Sequence, residues 1–145
     1  MRALLQRVSR ACVMVEGAVA GEIGVGLLIL LGISKTDNSA DAVFLADKIL
    51  HLRIFADAAG KMNRSVTETG GDLLIVPQFT LYADSTTGRR PSFARSAPPE
   101  QARALYESFV ERAGRTGLRV ATGVFQAHMN VLLVNDGPVT ILVET

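Results

Sequence analysis

Apolar and polar residues alternate along the first part of the chain, and this pattern predicts β-strands there. Residues 2–8 and 12–16 form two candidate half-buried strands, because alternate side chains of a strand point to opposite faces. Glycines at 17, 21, 24 and 26 punctuate this stretch and predict short hairpins. Residues 27–33 are a continuous apolar run of strand length, so we expect a central strand covered on both faces.

Two segments with apolar residues at helical spacing predict the two main helices. The first follows a polar cap at Asn38 or Ser39 and runs to about Leu50. The second begins at residues 98–100, because proline is tolerated in a first helical turn, and ends at a glycine at 114 or 117. Its predicted buried stripe consists of Ala102, Leu105, Phe109 and Ala113.

The remaining predicted strands are short, and turns or loops separate them. Pro77 lacks an N–H, so the strand that contains it should bend, bulge or lie at an edge. Residues 84–97 are a long polar loop, and residues 136–138 are a tight connection between the last two strands. These strands cover residues 53–55, 72–83, 118–122, 129–134 and 139–143. The order predicts an α+β fold with two main helices and a largely antiparallel or mixed sheet.

The bulk composition is that of one globular domain over residues 1–145. Hydrophobic residues make up 48% of the chain and charged residues 20%. Cys12 is the one cysteine and has no internal disulfide partner, which favours a reducing compartment. The first ten residues do not resemble a signal peptide, and the apolar run at 27–33 is too short to cross a bilayer. We therefore expect a cytoplasmic protein without a membrane segment.

The charge distribution leaves nucleic-acid contact open at one place. The net charge is only +1, which argues against a protein that coats nucleic acid. Arginines nevertheless concentrate between residues 89 and 119, and arginine suits phosphate contacts. We interpret those at 103, 112, 115 and 119 as ordinary helix-face residues. Arg89, Arg90 and Arg95 in the long loop are equally compatible with solvent exposure and with RNA binding.

The common catalytic side-chain arrangements are missing from the sequence. The two histidines, His51 and His128, are far apart, and no Cys/His cluster predicts a metal site. The glycines of residues 21–26 lack the strand–helix setting and the lysine of a nucleotide loop, and we interpret them as hairpin turns. No G-x-S-x-G elbow is present. Catalysis would have to use backbone amides, a hydroxyl or the substrate itself.

Two segments place polar residues where apolar strands are expected. Residues 77–81 read Pro-Gln-Phe-Thr-Leu, and on local evidence they are an edge strand. Residues 135–140 read Asn-Asp-Gly-Pro-Val-Thr, and on local evidence they are a hairpin turn, in which Asn, Asp and Gly are common. Neither segment alone indicates a function.

Taken together over the whole chain, these segments resemble the bacterial D-aminoacyl-tRNA deacylase family. The family's two signature stretches fall on Gln78-Phe79-Thr80-Leu81 and on residues 135–140. The resemblance also includes Gln6-Arg7-Val8, Gly21-Glu22-Ile23-Gly24, Arg53-Ile54-Phe55, Gly60-Lys61-Met62-Asn63, Arg90-Pro91-Ser92-Phe93, Ala104-Leu105-Tyr106 and Phe109-Val110-Glu111-Arg112. It implies a barrel-like α+β fold, a homodimer, and hydrolysis of the ester of D-aminoacyl-tRNA without a cofactor or metal. Glycyl-tRNA mischarged on tRNA-Ala is a further expected substrate.

The resemblance also implies where the ester would react. Backbone N–H groups around Phe79 and Thr80, beside Gln78, are expected to stabilise the tetrahedral oxyanion, and one such donor is worth roughly 2.7–4 kcal/mol. The neighbouring ribose hydroxyl of the substrate is expected to help activate water. Thr80 is less favoured as a nucleophile, because no base is evidently placed to activate it.

Chiral selection has its own set of implied residues. Gly137 and Pro138, joined by a cis peptide bond, are expected to reach across the dimer into the partner's site and to exclude an L side chain by backbone contact. Arg7 would hold this loop, although a surface arginine on a strand is an equal interpretation. Met129 and Asn135 are expected to bind substrate, and Arg89, Arg90 and Arg95 to contact tRNA phosphates.

One departure from the family pattern keeps a second enzyme class open. The family usually has serine where this chain has Pro77, and a related deacylase group with relaxed chirality also carries proline there. Phe79 and residues 135–140 match the D-specific type instead. A non-catalytic tRNA-binding module is also conceivable, but the low net charge disfavours it. A purely structural dimer is supported by no feature of the sequence.

Overall fold

The longest strands organise the fold. The computed structural model describes all 145 residues. Strand β1 (Arg2–Val15) is continuous, whereas the sequence predicted two separate strands at 2–8 and 12–16. The two predicted strands are one because β1 stays paired along one edge, first with β3 (Gly26–Gly32) and then with β2 (Ala18–Ile23). Its other edge pairs along its length with β8 (Asn130–Glu144).

The sheet is mixed and curls into a nearly closed barrel. Strands β1, β2, β3 and β8 are antiparallel neighbours, whereas β6 (Asp72–Pro77) and β7 (Val120–Thr122) continue from β3 in parallel. Strands β2 and β7 approach closely, since a Cβ on Gly21 would lie 2.6 Å from the Thr122 carbonyl oxygen. This confirms the predicted α+β class and its barrel-like sheet. The sheet is mixed with a majority of antiparallel pairs, as predicted, since only the β3–β6 and β6–β7 pairs are parallel.

The prediction of a covered central strand at 27–33 is confirmed. Strand β3 lies between β1 and β6, and its side chains alternate between two cores. Leu27, Ile29 and Leu31 pack into the larger core, which lies against the helices. Leu28 packs on the opposite face in a smaller core with Val8, Leu74 and other barrel residues. Both faces of β3 are covered, which is why the strand reads as a continuous apolar run instead of alternating with polar residues.

The helices begin and end largely where their sequence signals indicate. Helix α1 (Ser39–Leu50) starts at the Asn38 cap, where a capping box with Asp41 satisfies free amides. Helix α3 (Pro99–Gly114) buries Leu105, Phe109 and Ala113 as predicted, together with Tyr106, while Ala102 is half-buried. A third, four-residue helix, α2 (Val66–Thr69), was not predicted, although its own capping box is readable at Ser65 and Glu68. None of the helices has the length and hydropathy needed to span a bilayer.

The shorter elements differ from the predictions by a few residues. The strand expected at 53–55 is β4 (Phe55–Ala56), which forms a small hairpin with β5 (Met62–Arg64). The strand expected at 118–122 begins only at Val120. The loop over residues 84–97 is present, and paired backbone hydrogen bonds, both 2.8 Å long, join its first residue, Asp84, to Ser92.

Candidate active site

A cleft of about 560 Å³ opens beside the end of β6. It lies where the C-terminal ends of the parallel strands β3 and β6 meet the start of α3 and the segment before β8. Its lining is mostly apolar and includes three of the predicted site residues, Gln78, Phe79 and Met129. The other contributors include Leu31, Ile33, Val76, Pro77, Ser96, Ala97, Pro99, Ala102, Phe125, Gln126, Ala127, His128 and Val131.

The strand predicted over residues 72–83 ends at Pro77, and this corrects the expected setting of Gln78 and Thr80. The chain turns into a 3-10 helix (Phe79–Tyr82) instead of continuing along β3. Proline cannot donate to a neighbouring strand, so the ladder stops where the sequence signal suggested a break. The Gln78 N–H donates to the Leu31 carbonyl at 2.8 Å and fixes the point of departure.

The 3-10 helix begins at the edge of the cleft, which Phe79 lines and Thr80 does not. The N–H groups of Phe79 and Thr80 belong to its first two residues, so they have no partner inside the helix. The Ser96 hydroxyl donates to the Phe79 carbonyl at 3.0 Å, which ties the helix to the long loop. The Phe79 ring packs edge-to-face on Phe93, with centroids 5.1 Å apart.

The polar side chains of this helix are paired with each other and not with a base. The Gln78 amide donates to the Thr80 hydroxyl, and both groups lie towards solvent. His51 does not line the cleft, and its ring contacts the Asp47 carbonyl at the end of α1. No group of three His, Cys, Asp or Glu side chains comes together as a metal-binding cluster.

The far wall of the cleft contains residues that the sequence did not point to. Phe125 is half-buried, with the Tyr106 ring 6.1 Å away and the Arg103 guanidinium 4.6 Å over its face. Arg103, which the sequence indicated as an ordinary helix-face residue, therefore supports an aromatic wall. Gln126 has a left-handed backbone, with φ of 64°. A positive φ is uncommon for a residue other than glycine and marks this segment as unusual. The sequence does not reveal it, so no pattern in the sequence pointed to this wall.

Two buried tyrosines lie behind the cleft, and one of them is hydrogen-bonded to a core strand. The Tyr106 hydroxyl donates to the Ile75 carbonyl at 2.8 Å, and burial raises the pKa of Tyr106 to about 12. Burial also raises the pKa of Tyr82 at the end of the 3-10 helix. Met129 is held by the Val124 N–H, which lies 3.3 Å from its sulfur. Both hydroxyls keep their protons at neutral pH, so the site gains no negative charge from them.

The second predicted segment is a bulge and not a hairpin turn. Residues before and after it pair with the same strand in the same direction, with Val8 opposite Asn135 and Gln6 opposite Thr140. Residues 136–139 therefore protrude from β8 opposite a single residue of β1. The local composition misled the sequence interpretation because bulges and hairpin turns use the same residue types.

Side-chain hydrogen bonds close the base of the 136–139 bulge. The Asn135 carbonyl accepts from the Val139 N–H at 2.8 Å, and its amide donates to the Thr140 hydroxyl at 2.9 Å. The peptide bond between Gly137 and Pro138 is cis, and Gly137 has φ of 138°. A Cβ at Gly137 would lie 2.8 Å from the Val139 side chain and 3.1 Å from Arg7. Position 137 is therefore restricted to glycine.

Arg7 joins the bulge to the body of the protein. Its Nε donates to the Asp136 carbonyl at 3.0 Å and lies 3.4 Å from the Asp136 carboxylate. Its Nη1 donates to the Ile54 carbonyl at 2.5 Å, and the side chain is largely buried. This is not the geometry of a free surface arginine, which was the second interpretation of this residue.

The structure does not bring the two signature segments together within one chain. Residues 135–138 are absent from the lining of the cleft. Val131 lines the cleft, and the bulge begins five residues further along β8, which is about 16 Å at the rise of an extended strand. Gly137 and Pro138 point into solvent on the exposed side of β8.

The three predicted RNA-binding arginines lie in the 84–97 loop next to the cleft. Arg89 and Arg90 are at its exposed tip and form no ion pair. Arg95 lies nearer the cleft, and its guanidinium is 5.9 Å from the Tyr82 ring. The loop returns to the cleft through Ser96 and Ala97, which line it, whereas none of the three arginines is among the lining residues.

Comparison with protein families and curated proteins identifies close relatives. A family model described as D-Tyr-tRNA(Tyr) deacylase matches residues 4–144. The D-aminoacyl-tRNA deacylase of Heliobacterium modesticaldum is 58% identical over 99% of this chain and 96% of its own length. That of Anaeromyxobacter dehalogenans is 59% identical over 100% of this chain and 97% of its own.

Solved structures share the fold. A protein named c-Myc DNA Unwinding Element Binding Protein superposes with a TM-score of 0.94 and 42% identity over 100% of this chain and 99% of that one. A probable eukaryotic D-amino acid tRNA deacylase superposes with a TM-score of 0.89 over 99% of this chain and 98% of its own. At 18% identity, this second match supports the fold alone.

Proposed function

This chain belongs to the D-aminoacyl-tRNA deacylase family, and from that premise we propose that its cleft holds the ester it hydrolyses. The family predicted from the sequence is thereby confirmed. The activity is that of a hydrolase on the ester between a D-amino acid and tRNA. We assign it to one deacylase domain spanning residues 1–145.

The composition of the cleft suits the terminal nucleoside of an aminoacyl-tRNA. Ligand sites are commonly apolar clefts with a few placed polar groups, and aromatic side chains stack on bases. Phe125 and Met129 supply apolar surface on one wall, while Gln78 and Phe79 lie at the other end. A nucleoside bound between them would place its ribose ester beside the 3-10 helix. This juxtaposition in one cleft is the observation that carries the proposal.

Backbone amides provide the catalytic groups in this account. The Phe79 and Thr80 N–H groups are free to donate to the oxyanion that forms when water adds to the ester carbonyl. The bond from that carbon to the ribose oxygen then breaks, and the ribose oxygen leaves with a proton. The products are the free amino acid and tRNA. The adjacent ribose hydroxyl orients the attacking water, and the Thr80 hydroxyl is a binding group because its hydrogen-bond partner is the Gln78 amide.

A second copy of the chain is proposed to bring the chiral filter. The outward face of β8 is apolar on both sides of the bulge, where Leu132, Val134 and Leu142 are 52%, 43% and 52% exposed. Strand β8 pairs only with β1, so its other edge is unpaired. Long apolar edge strands are normally covered. A two-fold dimer would cover this face and insert Gly137 and Pro138 of each chain into its partner's cleft.

Within this dimer the supporting residues have separate roles. Arg7 and Asn135 hold the 136–139 bulge in shape through the hydrogen bonds described above. The rigid main chain of Gly137 and Pro138 would then crowd an L side chain and admit a D side chain or glycine. Glycyl-tRNA mischarged on tRNA-Ala is accordingly a proposed second substrate.

The tRNA and the cellular location complete the proposal. Arg89, Arg90 and Arg95 are exposed in the loop whose end, at Ser96 and Ala97, lines the cleft, and we propose that they contact acceptor-stem phosphates, as arginine does readily. Because charged tRNA is made and used in the cytoplasm, we place the protein there.

A matched assay tests the function. The protein is incubated with D-tyrosyl-, L-tyrosyl- and glycyl-tRNA, and release of the amino acid is followed. We expect rapid release from the D-tyrosyl and glycyl substrates and none above background from L-tyrosyl-tRNA. Equal release of both enantiomers would replace this proposal with the relaxed-chirality deacylase, a class favoured by Pro77 in the cleft wall. Binding without release would leave only a tRNA-binding module.

A further inference from the structure

The 3-10 helix that carries the proposed oxyanion amides rests on the end of the barrel at two neighbouring residues. In the β1–β3 ladder Arg2 is opposite Gly32, and both lie next to this helix. Arg2 also pairs with Glu144 of β8 on its other side. Neither Arg2 nor Gly32 lines the cleft, so neither can touch a substrate there.

Arg2 binds the C-terminal end of the helix. Its Nη1 donates to the Leu81 carbonyl at 2.9 Å. That carbonyl belongs to the last turn, where helix carbonyls have no intrahelical partner and a cation is favourable. The same guanidinium lies 4.7 Å from the centre of the buried Tyr82 ring. Its Nε is separately paired with the Glu144 carboxylate at the exposed end of the side chain.

Gly32 provides the space in which the helix lies. A Cβ at this position would be 3.0 Å from the Gln78 carbonyl oxygen, 3.0 Å from the Leu81 Cβ and 3.4 Å from the Tyr82 ring. Two of these three neighbours belong to the helix and the third directly precedes it. Any side chain at position 32 would therefore push the helix away from the strand. The close contact at Gly32 and the hydrogen bond from Arg2 to Leu81 are independent of each other, and both hold the 3-10 helix in place.

We propose that Arg2 is a positioning residue for the deacylation reaction, which acts by fixing the Phe79–Tyr82 helix against Gly32 so that the Phe79 and Thr80 amides point at the oxyanion. This inference rests on the proposed function of the cleft. Its consequence is kinetic: a displaced oxyanion donor lowers kcat, because the oxyanion exists only after water has added to the ester. Substrate binding on the Phe125 wall is untouched, so KM stays constant.

Four variants test the proposal in the full chain with D-tyrosyl-tRNA. Arg2→Met removes the guanidinium but keeps side-chain bulk, and Gly32→Ala displaces the helix from the other side. For both we expect kcat to fall by about 100-fold, the effect of a small misplacement at a reacting centre, with KM within about twofold of wild type. Arg2→Lys can still donate to the Leu81 carbonyl and should recover part of the loss. Glu144→Gln is the matched control, since it removes the ion pair of Arg2 without removing the bond to Leu81.

Amide spectra separate positioning from simple destabilisation. In a 15N-labelled protein, Arg2→Met should shift the amide signals of residues 79–82 while the rest of the spectrum is retained. A folded Arg2→Met protein with wild-type kcat would overturn the proposal, as would a loss of kcat in Glu144→Gln equal to that in Arg2→Met. Failure of the proposed function has a different signature: wild-type protein that releases no D-tyrosine, or a Phe125→Ala variant with unchanged KM.

Discussion

The cleft and the 136–139 bulge differ in where their structure comes from. The cleft is enclosed by four separate parts of one chain, and Tyr106 ties its wall to the buried β6 strand. The bulge is exposed and local, held by Asn135 from within and by Arg7 from β1. One chain thus contains the cleft proposed to bind the ester, whereas its 136–139 bulge lies outside that cleft and is exposed to solvent. Under the proposed function, chemistry and chiral selection would therefore be supplied by different copies of the chain.

The largest effect is expected from adding one carbon atom to the bulge. Gly137→Ala forces a Cβ against Val139 and Arg7 at a positive φ, so the bulge must change shape. We expect discrimination between D- and L-tyrosyl-tRNA to fall by about 100-fold, the cost of a small misplacement in an oriented site. The ratio of kcat/KM for the two substrates measures this.

A second glycine provides the control for that change. Gly60 also has a positive φ, of 77°, but a Cβ there meets nothing within 4 Å. Gly60→Ala should lower stability without altering the D/L ratio. If Gly137→Ala and Gly60→Ala have the same D/L ratio of kcat/KM, the bulge does not distinguish the two configurations at the α-carbon of the substrate.

A smaller effect is expected on the cleft side of the comparison. Phe125→Ala removes the aromatic wall supported by Arg103 and Tyr106. Base–aromatic stacking is worth about 1–3 kcal/mol, so we expect KM to rise about tenfold while the D/L ratio stays constant. Phe44→Ala, at an exposed position on α1, is the matched control. A changed D/L ratio in Phe125→Ala would show that the two regions are not separate in function.

The sequence predicted these two regions to different degrees. The apolar run of β3 and the Asn38 cap of α1 are local signals of burial and of a free helix end, so they could be interpreted directly. Pro77 correctly marked a break, but a missing N–H does not say that a 3-10 helix follows. Phe125 and His128 became cleft residues only because β7 and β8 bring them beside β6, which no local pattern encodes.

The bulge illustrates a second limit of sequence interpretation. The residue types of the 135–140 segment indicated a turn, and its glycine and proline are indeed where the backbone is unusual. Whether the chain reverses there or continues depends on Val8 and Gln6 of β1, which pair with both flanks of the segment. The contacts of Arg7 likewise depend on a strand more than a hundred residues away in sequence. The roles of these residues came from family resemblance and stay proposals.

A still smaller effect is expected from the loop that borders the cleft. Replacing both Arg89 and Arg90 by glutamine should weaken tRNA binding and reduce the slope of log K against log salt by about 1.5, as expected for two lost phosphate contacts. The matched pair is Arg115→Gln with Arg119→Gln, two exposed arginines that already have acidic partners. An unaltered slope in the first pair, measured from about 50 to 200 mM salt, would remove this loop from the tRNA interface.

The smallest effect is expected at the Thr80 hydroxyl. Thr80→Ala removes a solvent-facing hydrogen bond with Gln78, so kcat should fall by no more than about threefold. Single-turnover deacylation of D-tyrosyl-tRNA measures it. Complete loss of turnover in a folded Thr80→Ala protein would make Thr80 the nucleophile.

A subunit-mixing experiment tests the central claim most directly. Gly137→Ala chains, which have an intact cleft, are mixed with Gly32→Ala chains, which have an intact bulge, and exchange is verified by native mass spectrometry. If each site combines the cleft of one chain with the bulge of its partner, half of the dimers after equal mixing hold one complete, selective site. Release from L-tyrosyl-tRNA should then fall to about half of the average of the two separate variants, while release from D-tyrosyl-tRNA stays at that average. Release from L-tyrosyl-tRNA that equals the average of the two separate variants after complete exchange, or full selectivity in a protein that remains monomeric, would contradict the claim.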